Sequence, residues 1–364
     1  MKILITGGHI TPALAVADEL HNNEVLFVGR EYALSSDRVK SFEYEEVKRR
    51  GYRFMNISAG RLTRTFSLQT FLNILKIPFG FISALLIMHK EEPKVVLTFG
   101  GYIALPIAVA AYLHHIPIVT HEQTIRPGSA NRFIARLARK VFVSFPEAQN
   151  FFPPTKVVVS GNPIRDEVRQ VVKKIPHFTK NWPVLFITGG SLGSHDINTM
   201  IFSILPELLK SYIVIHQTGA ATEFKDNDRA KELKNENYFS FDHIESDLIG
   251  FVYEQADLVV GRAGANTVFE LLALKKPSIL IPLPWSAFQE QQKHADYLKG
   301  LGVARVFDQS NDSKKLLSNI TNMFKDLEMY RKNFDTIKLP YDPTSAAKQI
   351  AQEVLASTTN IPTS

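Results

Sequence analysis

Asn266, Thr267 and Glu270 stand directly behind the glycine-bearing turn Gly261-Arg262-Ala263-Gly264, within ADLVVGRAGANTVFELLALKKPSILIPLP at residues 256 to 284. The apolar runs on either side, Leu258 to Val260 and Ser278 to Leu283, make this a strand, a loop, a helix and a second strand. A helix opening there offers unpaired backbone N–H groups, the positive end of its dipole and the Thr267 hydroxyl, which together suit a phosphate. Glu270 lies too far into the helix to cap it. A carboxylate about one turn past a phosphate site can accept hydrogen bonds from ribose hydroxyls. Half of a nucleotide site and an ordinary βαβ unit with a solvated glutamate both fit these residues.

A second such turn opens the chain. Lys2 to Thr6 read as a short buried strand, Gly7-Gly8 as the turn, and Pro12 as the first turn of a helix with the apolar stripe Leu14, Ala17 and Leu20. This is a nucleotide-binding style of β-turn-α without the third glycine of the dinucleotide fingerprint. His9 at the helix mouth either faces the carboxyl end of the sheet or simply hydrogen-bonds the loop. The pattern returns at 95 to 123 as strand, Gly100-Gly101, apolar helix, strand, and then His121-Glu122-Gln123 at the strand's carboxyl end. Glu122 is read as a buried acid that orients a loop or as a substrate contact.

The elements that must present these residues alternate strand and helix. VLFITGGSLGSHDIN at 184 to 198 restarts the opening pattern, so the chain reads as two doubly wound α/β domains in tandem. The periodicity breaks across IPHFTKNWP at 175 to 183, which reads as a linker. In the second glycine turn, Ser191 and Gly193 place amides and a hydroxyl where a diphosphate oxygen could bind. Tyr44 to Asn56 read as a polar stretch. Gln289, Gln291 and Gln292 can offer amides to sugar hydroxyls. Asp226-Asn227-Asp228 has the form of a metal-binding DxD but reads as a solvated loop.

Composition narrows the classes of function. The 364 residues, 45% hydrophobic and 21% charged, describe an ordinary globular chain. With no cysteine, thiol nucleophiles, disulfides and zinc ribbons are excluded. A net charge of +6 without any nucleic-acid motif favours an anionic membrane or substrate and argues against DNA or RNA. Met1-Lys2 running into a strand predicts no cleavable signal peptide, so the cytoplasmic side is the expected location. The apolar run LQTFLNILKIPFGFISALLIM at 68 to 88 is long enough to span a bilayer, but Lys76 near its middle opposes that. Its place between two strands predicts a crossover helix. Phe66, Phe71, Phe79 and Phe81, flanked by Arg61, Arg64, His89 and Lys90, predict a patch on anionic lipid.

Taken in order, several motifs resemble the MurG family of UDP-N-acetylglucosamine transferases. They are Thr6-Gly7-Gly8-His9 with Pro12 to Ala17, Gly100-Gly101-Tyr102, His121-Glu122-Gln123, Gly161-Asn162-Pro163-Ile164-Arg165, Gly189-Gly190-Ser191 and Arg262 to Glu270. The resemblance runs from Lys2 to about Asp308 and departs from the family pattern at Leu4-Ile5, Thr124, Leu192 and His294. It implies a GT-B fold, two Rossmann-like domains facing a cleft. Domain boundaries follow at 1–163 for the acceptor and membrane side and 164–340 for the UDP-sugar side, with a C-terminal helix at about 341–364 packing back on the first. It implies inverting, metal-independent transfer of GlcNAc from UDP-GlcNAc to the MurNAc 4-hydroxyl of undecaprenyl-linked lipid I in peptidoglycan synthesis, on the cytoplasmic face of the membrane as a peripheral protein.

Carried over by motif, His9 is the expected base. Thr6, Gly7, Gly8, Thr124, Arg165, Ser191, Ile244, Ala265, Asn266, Thr267, Glu270 and Gln291 are the expected UDP-GlcNAc residues, with Glu270 on ribose, Thr267 and Ser191 on diphosphate, Ile244 at uracil and Gln291 on the sugar. Arg61, Arg64, Phe71, Leu75, Phe79 and Glu122 are the expected acceptor and membrane contacts. A diacylglycerol glycosyltransferase or a UDP-sugar epimerase of the same fold is the alternative, and the epimerase has no use for the aromatic and basic patch.

Overall fold

A computed structural model of the chain describes residues 1–32, 40–57 and 68–359, and divides it into two compact units, Met1–Ile164 with Pro340–Ser364, and Arg165–Leu339.

In the first unit the chain runs β1 (Lys2–Thr6), α1 (Ile10–Glu19), β2 (Glu24–Gly29), α2 (Phe42–Arg49), β3 (Arg53–Asn56), α3 (Leu68–Glu91), β4 (Val95–Thr98), α4 (Ala104–Leu113), β5 (Ile118–Glu122), α5 (Ser129–Leu137), β6 (Lys140–Val143) and β7 (Val157–Val159). The sheet is seven-stranded with order β3-β2-β1-β4-β5-β6-β7, and every pairing is parallel. The chain reverses its winding between β1 and β4, so the carboxyl ends of these two strands flank the crevice where open α/β sheets keep their ligands. Both faces of the sheet are covered, which is why β4 and β5 are buried along their whole length and β1 from Ile3 onward, rather than alternating buried and exposed.

The polar stretch at 44–56 is in fact a helix followed by an edge strand. Val47 is the one fully buried residue of α2, so no apolar period marks it. Its signals are the Ser41 cap, whose hydroxyl accepts from the Tyr44 amide, acids in the first turn and bases in the last. The crossover helix α3 forms as expected. Ala84, Ile87 and Met88 bury one face in the core that α4 shares, while Phe79, Ile82 and Leu86 on another face are 66%, 53% and 62% exposed. Among the described residues, no helix is long and apolar enough to cross a membrane.

In the second unit the chain runs β8 (Val184–Thr188), α6 (His195–Leu208), β9 (Ile213–Gln217), α7 (Asp226–Glu232), β10 (Tyr238–Phe241), α8 (Ser246–Gln255), β11 (Leu258–Gly261), α9 (Ala265–Ala273), β12 (Ser278–Leu280), α10 (Glu290–Gly300), β13 (Ala304–Val306), α11 (Ser313–Lys325) and α12 (Leu327–Thr336). Its parallel sheet has the order β10-β9-β8-β11-β12-β13, which repeats the first winding and places β8 and β11 at the reversal. The last helix, α13 (Ala346–Thr359), packs on α1 and β4 of the first unit through Ala347, Ile350, Ala351 and Val354.

The segment read as a linker, 175–183, belongs to the second unit. Ile175 is buried, and the Phe178 ring packs tilted against Phe239 and edge-on against Phe251, with centroids 5.4 and 5.3 Å apart. The division between units falls earlier, after Ile164, because two prolines interrupt a local pattern without removing tertiary contacts. Asp226 of the DxD is likewise no solvated loop residue. It is buried at the start of α7, bonded to His195 Nδ1 at 3.0 Å and Asn198 Nδ2 at 2.8 Å.

Candidate functional site

In the first unit the β1–α1 turn is pressed against the β4–α4 turn. A Cβ on Gly7, whose φ is +142°, would meet the Phe99 backbone at 2.7 to 2.9 Å, so glycine is required there. The Gly8 amide donates to the Gly100 carbonyl at 3.1 Å. Thr6 is buried and its hydroxyl bonds the Val28 carbonyl at 2.8 Å. No side chain caps α1, and His9 occupies its N-cap position. The His9 ring is half-buried, its Nδ1 lies 2.7 Å from the Gln123 amide, and burial lowers its pKa to about 4, which keeps it neutral at pH 7. A neutral imidazole at the end of a parallel strand can accept a proton from a hydroxyl.

Glu122 is buried and hydrogen-bonded within its own loop and to α5. One oxygen accepts from the Thr124 amide at 3.0 Å and hydroxyl at 2.8 Å, and the other from Asn131 Nδ2 at 2.9 Å. Burial pushes this carboxyl up and the hydrogen bonds oppose that shift. Thr124, expected at the donor, uses its hydroxyl on Glu122 and on the Arg126 carbonyl. Arg61 and Arg64 lie outside the described residues; Phe71, Leu75 and Phe79 all fall on α3.

In the second unit, the β8–α6 turn carries Ser191, which is exposed, and Gly193. Ser194 caps α6, and its hydroxyl accepts from Arg262 at 2.6 Å. Arg262 also donates to Gln309 at 2.7 Å and the Ile281 carbonyl at 3.1 Å, joining the segments after β8, β11, β12 and β13. At α9 no side chain caps the helix, Ala265 is buried, and Asn266 and Thr267 are half-buried in its first turn. That is an N-terminus suited to a diphosphate.

Glu270 is 3% exposed, which excludes a solvated glutamate. Its Oε1 accepts from Arg165 Nε at 3.1 Å and its Oε2 from the Tyr253 hydroxyl at 2.9 Å. Burial, then the Glu270 charge, push the Tyr253 hydroxyl well above its usual range. Each carboxylate oxygen retains a lone pair for a ribose hydroxyl. Ile244 is 3% exposed just before α8. Gln291 Oε1 accepts from the Leu283 amide at 3.0 Å, beside a pocket of about 230 Å³ lined by Pro282, Leu283, Pro284, Gln289, Gln292 and Asp308. Sequence reasoning missed Tyr253, which sits in the apolar run of α8 with nothing local to mark it, and the bond that joins Gln123 to His9. Among the described residues no group of three or more His, Cys, Asp or Glu side chains could hold a metal.

The glycosyltransferase family 28 N-terminal domain matches residues 6–143, and the family's C-terminal domain matches 184–354. A UDP-N-acetylglucosamine--N-acetylmuramyl-(pentapeptide) pyrophosphoryl-undecaprenol N-acetylglucosamine transferase from Clostridium tetani (strain Massachusetts / E88) is 34% identical over 344 residues, 91% of this chain and 92% of the relative. The chain belongs to this transferase family. A second member of the N-acetylglucosamine transferase family, from Clostridium kluyveri, is 36% identical over 87% of this chain and 89% of its own. The fold of this transferase family member is GT-B, built of two Rossmann-like units, and is shared with the crystal structure of Acinetobacter baumannii MurG at a TM-score of 0.71 and 24% identity, over 98% of this chain and 99% of that one. It is also shared with a UDP-GlcNAc 2-epimerase from Neisseria meningitidis at 0.65 and 17%, over 98% and 100%.

Proposed function

We propose that this chain moves GlcNAc from UDP-GlcNAc to the MurNAc 4-hydroxyl of lipid I, giving lipid II. It is a hexosyltransferase of peptidoglycan synthesis. The observation that carries this reading is the identity of 34% to a transferase of that name over 91% of the chain. In the proposed reaction His9 takes the proton of the acceptor hydroxyl, the oxygen attacks the anomeric carbon from the face opposite UDP, and the bond to the diphosphate breaks with inversion. The amides at the start of α9, with the Thr267 and Ser191 hydroxyls, receive the negative charge that leaves with UDP. Glu270, held by Arg165 and Tyr253, accepts the ribose hydroxyls. Ile244 lies at uracil, and Gln291 faces the sugar.

For the acceptor side we infer docking on an anionic membrane surface. The exposed Phe79, Ile82 and Leu86 on α3, followed by exposed His89 and Lys90, support it, since an apolar stripe with a basic end suits lipid tails and anionic head groups. The deciding assay is purified protein with UDP-GlcNAc and synthetic lipid I in anionic vesicles. UDP release that depends on lipid I is expected. Release of another sugar nucleotide without an acceptor would instead make the chain an epimerase.

A further inference from the structure

The 2.7 Å contact between His9 Nδ1 and the Gln123 side chain joins residues 114 apart in sequence and bears directly on which ring nitrogen can act. Gln123 is buried, and its Oε1 meets no donor among the described residues. A primary amide exchanges its nitrogen and oxygen by a half-turn about its last torsion, with no change of volume. With the nitrogen forward, the amide donates to Nδ1 and the neutral ring carries its proton on Nε2, where it cannot accept another. With the oxygen forward, Nδ1–H donates to Oε1 and the Nε2 lone pair is open. A ring that has just taken a proton carries N–H on both nitrogens, so only the oxygen-forward arrangement accommodates it; nitrogen forward would set N–H against N–H.

We propose that Gln123 is the positioning residue for His9: its amide, oxygen forward, holds the proton on Nδ1 and leaves Nε2 to receive the proton of the acceptor hydroxyl. This rests on the reading of His9 as the base. Among the described residues, Gln123 is the hydrogen-bond partner of the His9 ring. The first turn of α1 carries no acid, and the Glu122 carboxylate is bonded to Thr124 and Asn131. Buried His121, the titratable neighbour whose charge couples to His9, is kept neutral by burial, with a pKa near 3. In the reaction the proton moves from the hydroxyl to Nε2, the new glycosidic C–O bond forms, the C–O bond to UDP breaks, and Oε1 stabilises Nδ1–H of the imidazolium.

The test uses full-length protein with ¹⁵N-labelled histidine, bound to UDP and a soluble lipid I analogue. Two-bond ¹H–¹⁵N spectra should show His9 protonated at Nδ1 and bare at Nε2. In Gln123→Leu the proton should shift to Nε2 and kcat should fall about 10- to 100-fold, with the KM for UDP-GlcNAc unchanged. Gln123→Glu, whose carboxylate can only accept, should restore the wild-type tautomer, recover most of kcat and raise the pH at which the ring titrates. Wild-type kcat in Gln123→Leu, or an Nε2-protonated ring in the bound wild type, would overturn the proposal. The underlying reading fails separately: His9→Ala with unchanged turnover removes His9 as base, whereas an inactive His9→Ala beside a fully active Gln123→Leu removes Gln123 alone.

Discussion

Glu270 has one bond on each carboxylate oxygen, from an arginine 105 residues earlier and a tyrosine 17 residues earlier, and almost no exposure of its own. A buried carboxylate fixed on two sides is preorganised, so a ribose hydroxyl that reaches it meets an acceptor already desolvated and aimed. Glu270→Ala is expected to weaken UDP binding about 10- to 100-fold by isothermal titration, the loss of one or two charge-assisted bonds. Tyr253→Phe keeps the charge pair and removes one bond, so it should cost about fivefold. Unaltered UDP affinity in Glu270→Ala would end the ribose assignment. The glutamate and its spacing behind Gly264 were readable in the sequence. Its partners were not, because Arg165 and Tyr253 reach it through tertiary packing that no local pattern encodes.

At the scale of elements, the glycine turns separate into those that are merely permissive and those that are sterically required. A Cβ on Gly193 would lie 2.1 Å from the Thr218 carbonyl oxygen at a φ of +84°, whereas one on Gly190, at +90°, would meet nothing within 4 Å. Gly193→Ala should therefore lower stability by about 2 kcal/mol or more and Gly190→Ala by about 1 kcal/mol, measured by urea unfolding. Helix α3 divides similarly into a core face and an outer stripe. Leu86→Glu, on the exposed face, should reduce binding to anionic vesicles while leaving the melting temperature within about 1 °C, because Leu86 is 62% exposed. A fall in melting temperature without loss of vesicle binding would mean that the stripe packs against protein.

For the molecule as a whole, the C-terminal helix and the buried histidines each make a testable contribution to stability. Helix α13 contributes Ile350 and Val354, both fully buried, to the core of the unit that the N-terminus begins. A chain ending before Pro340 should lose the cooperative unfolding of that unit, seen by calorimetry and by proteolysis within residues 1–164, since removing this helix strips one face of the core. Burial holds His121 and His216 to a pKa of about 3 and His294 to about 4. The unfolded chain takes up these protons near pH 6.5, and the folded chain only near or below pH 4, so the unfolded state binds more protons between these limits. Stability should accordingly fall as pH drops below about 6.5, by about 1.4 kcal/mol per pH unit for each such histidine, until the folded pKa is reached. Melting temperatures between pH 7 and 4.5 check this, and a flat profile would contradict buried neutral rings.

The tandem of doubly wound units follows from the sequence alone, because an apolar strand, a glycine turn and an amphipathic helix are each written in neighbouring residues, and the restart at Val184 repeats them. The same local signals place glycine turns at the starts of α1 and α9, the turns that bring His9 and Thr267 to the ends of β1 and β11. Only the tertiary structure decided the rest. Glu122 and Gln123 are adjacent in sequence, yet one turns inward to Asn131 and Thr124 while the other reaches His9. Successive side chains at a strand's end point in opposite directions, and which of them meets a partner depends on what the sheet brings alongside, here a histidine from the turn after β1.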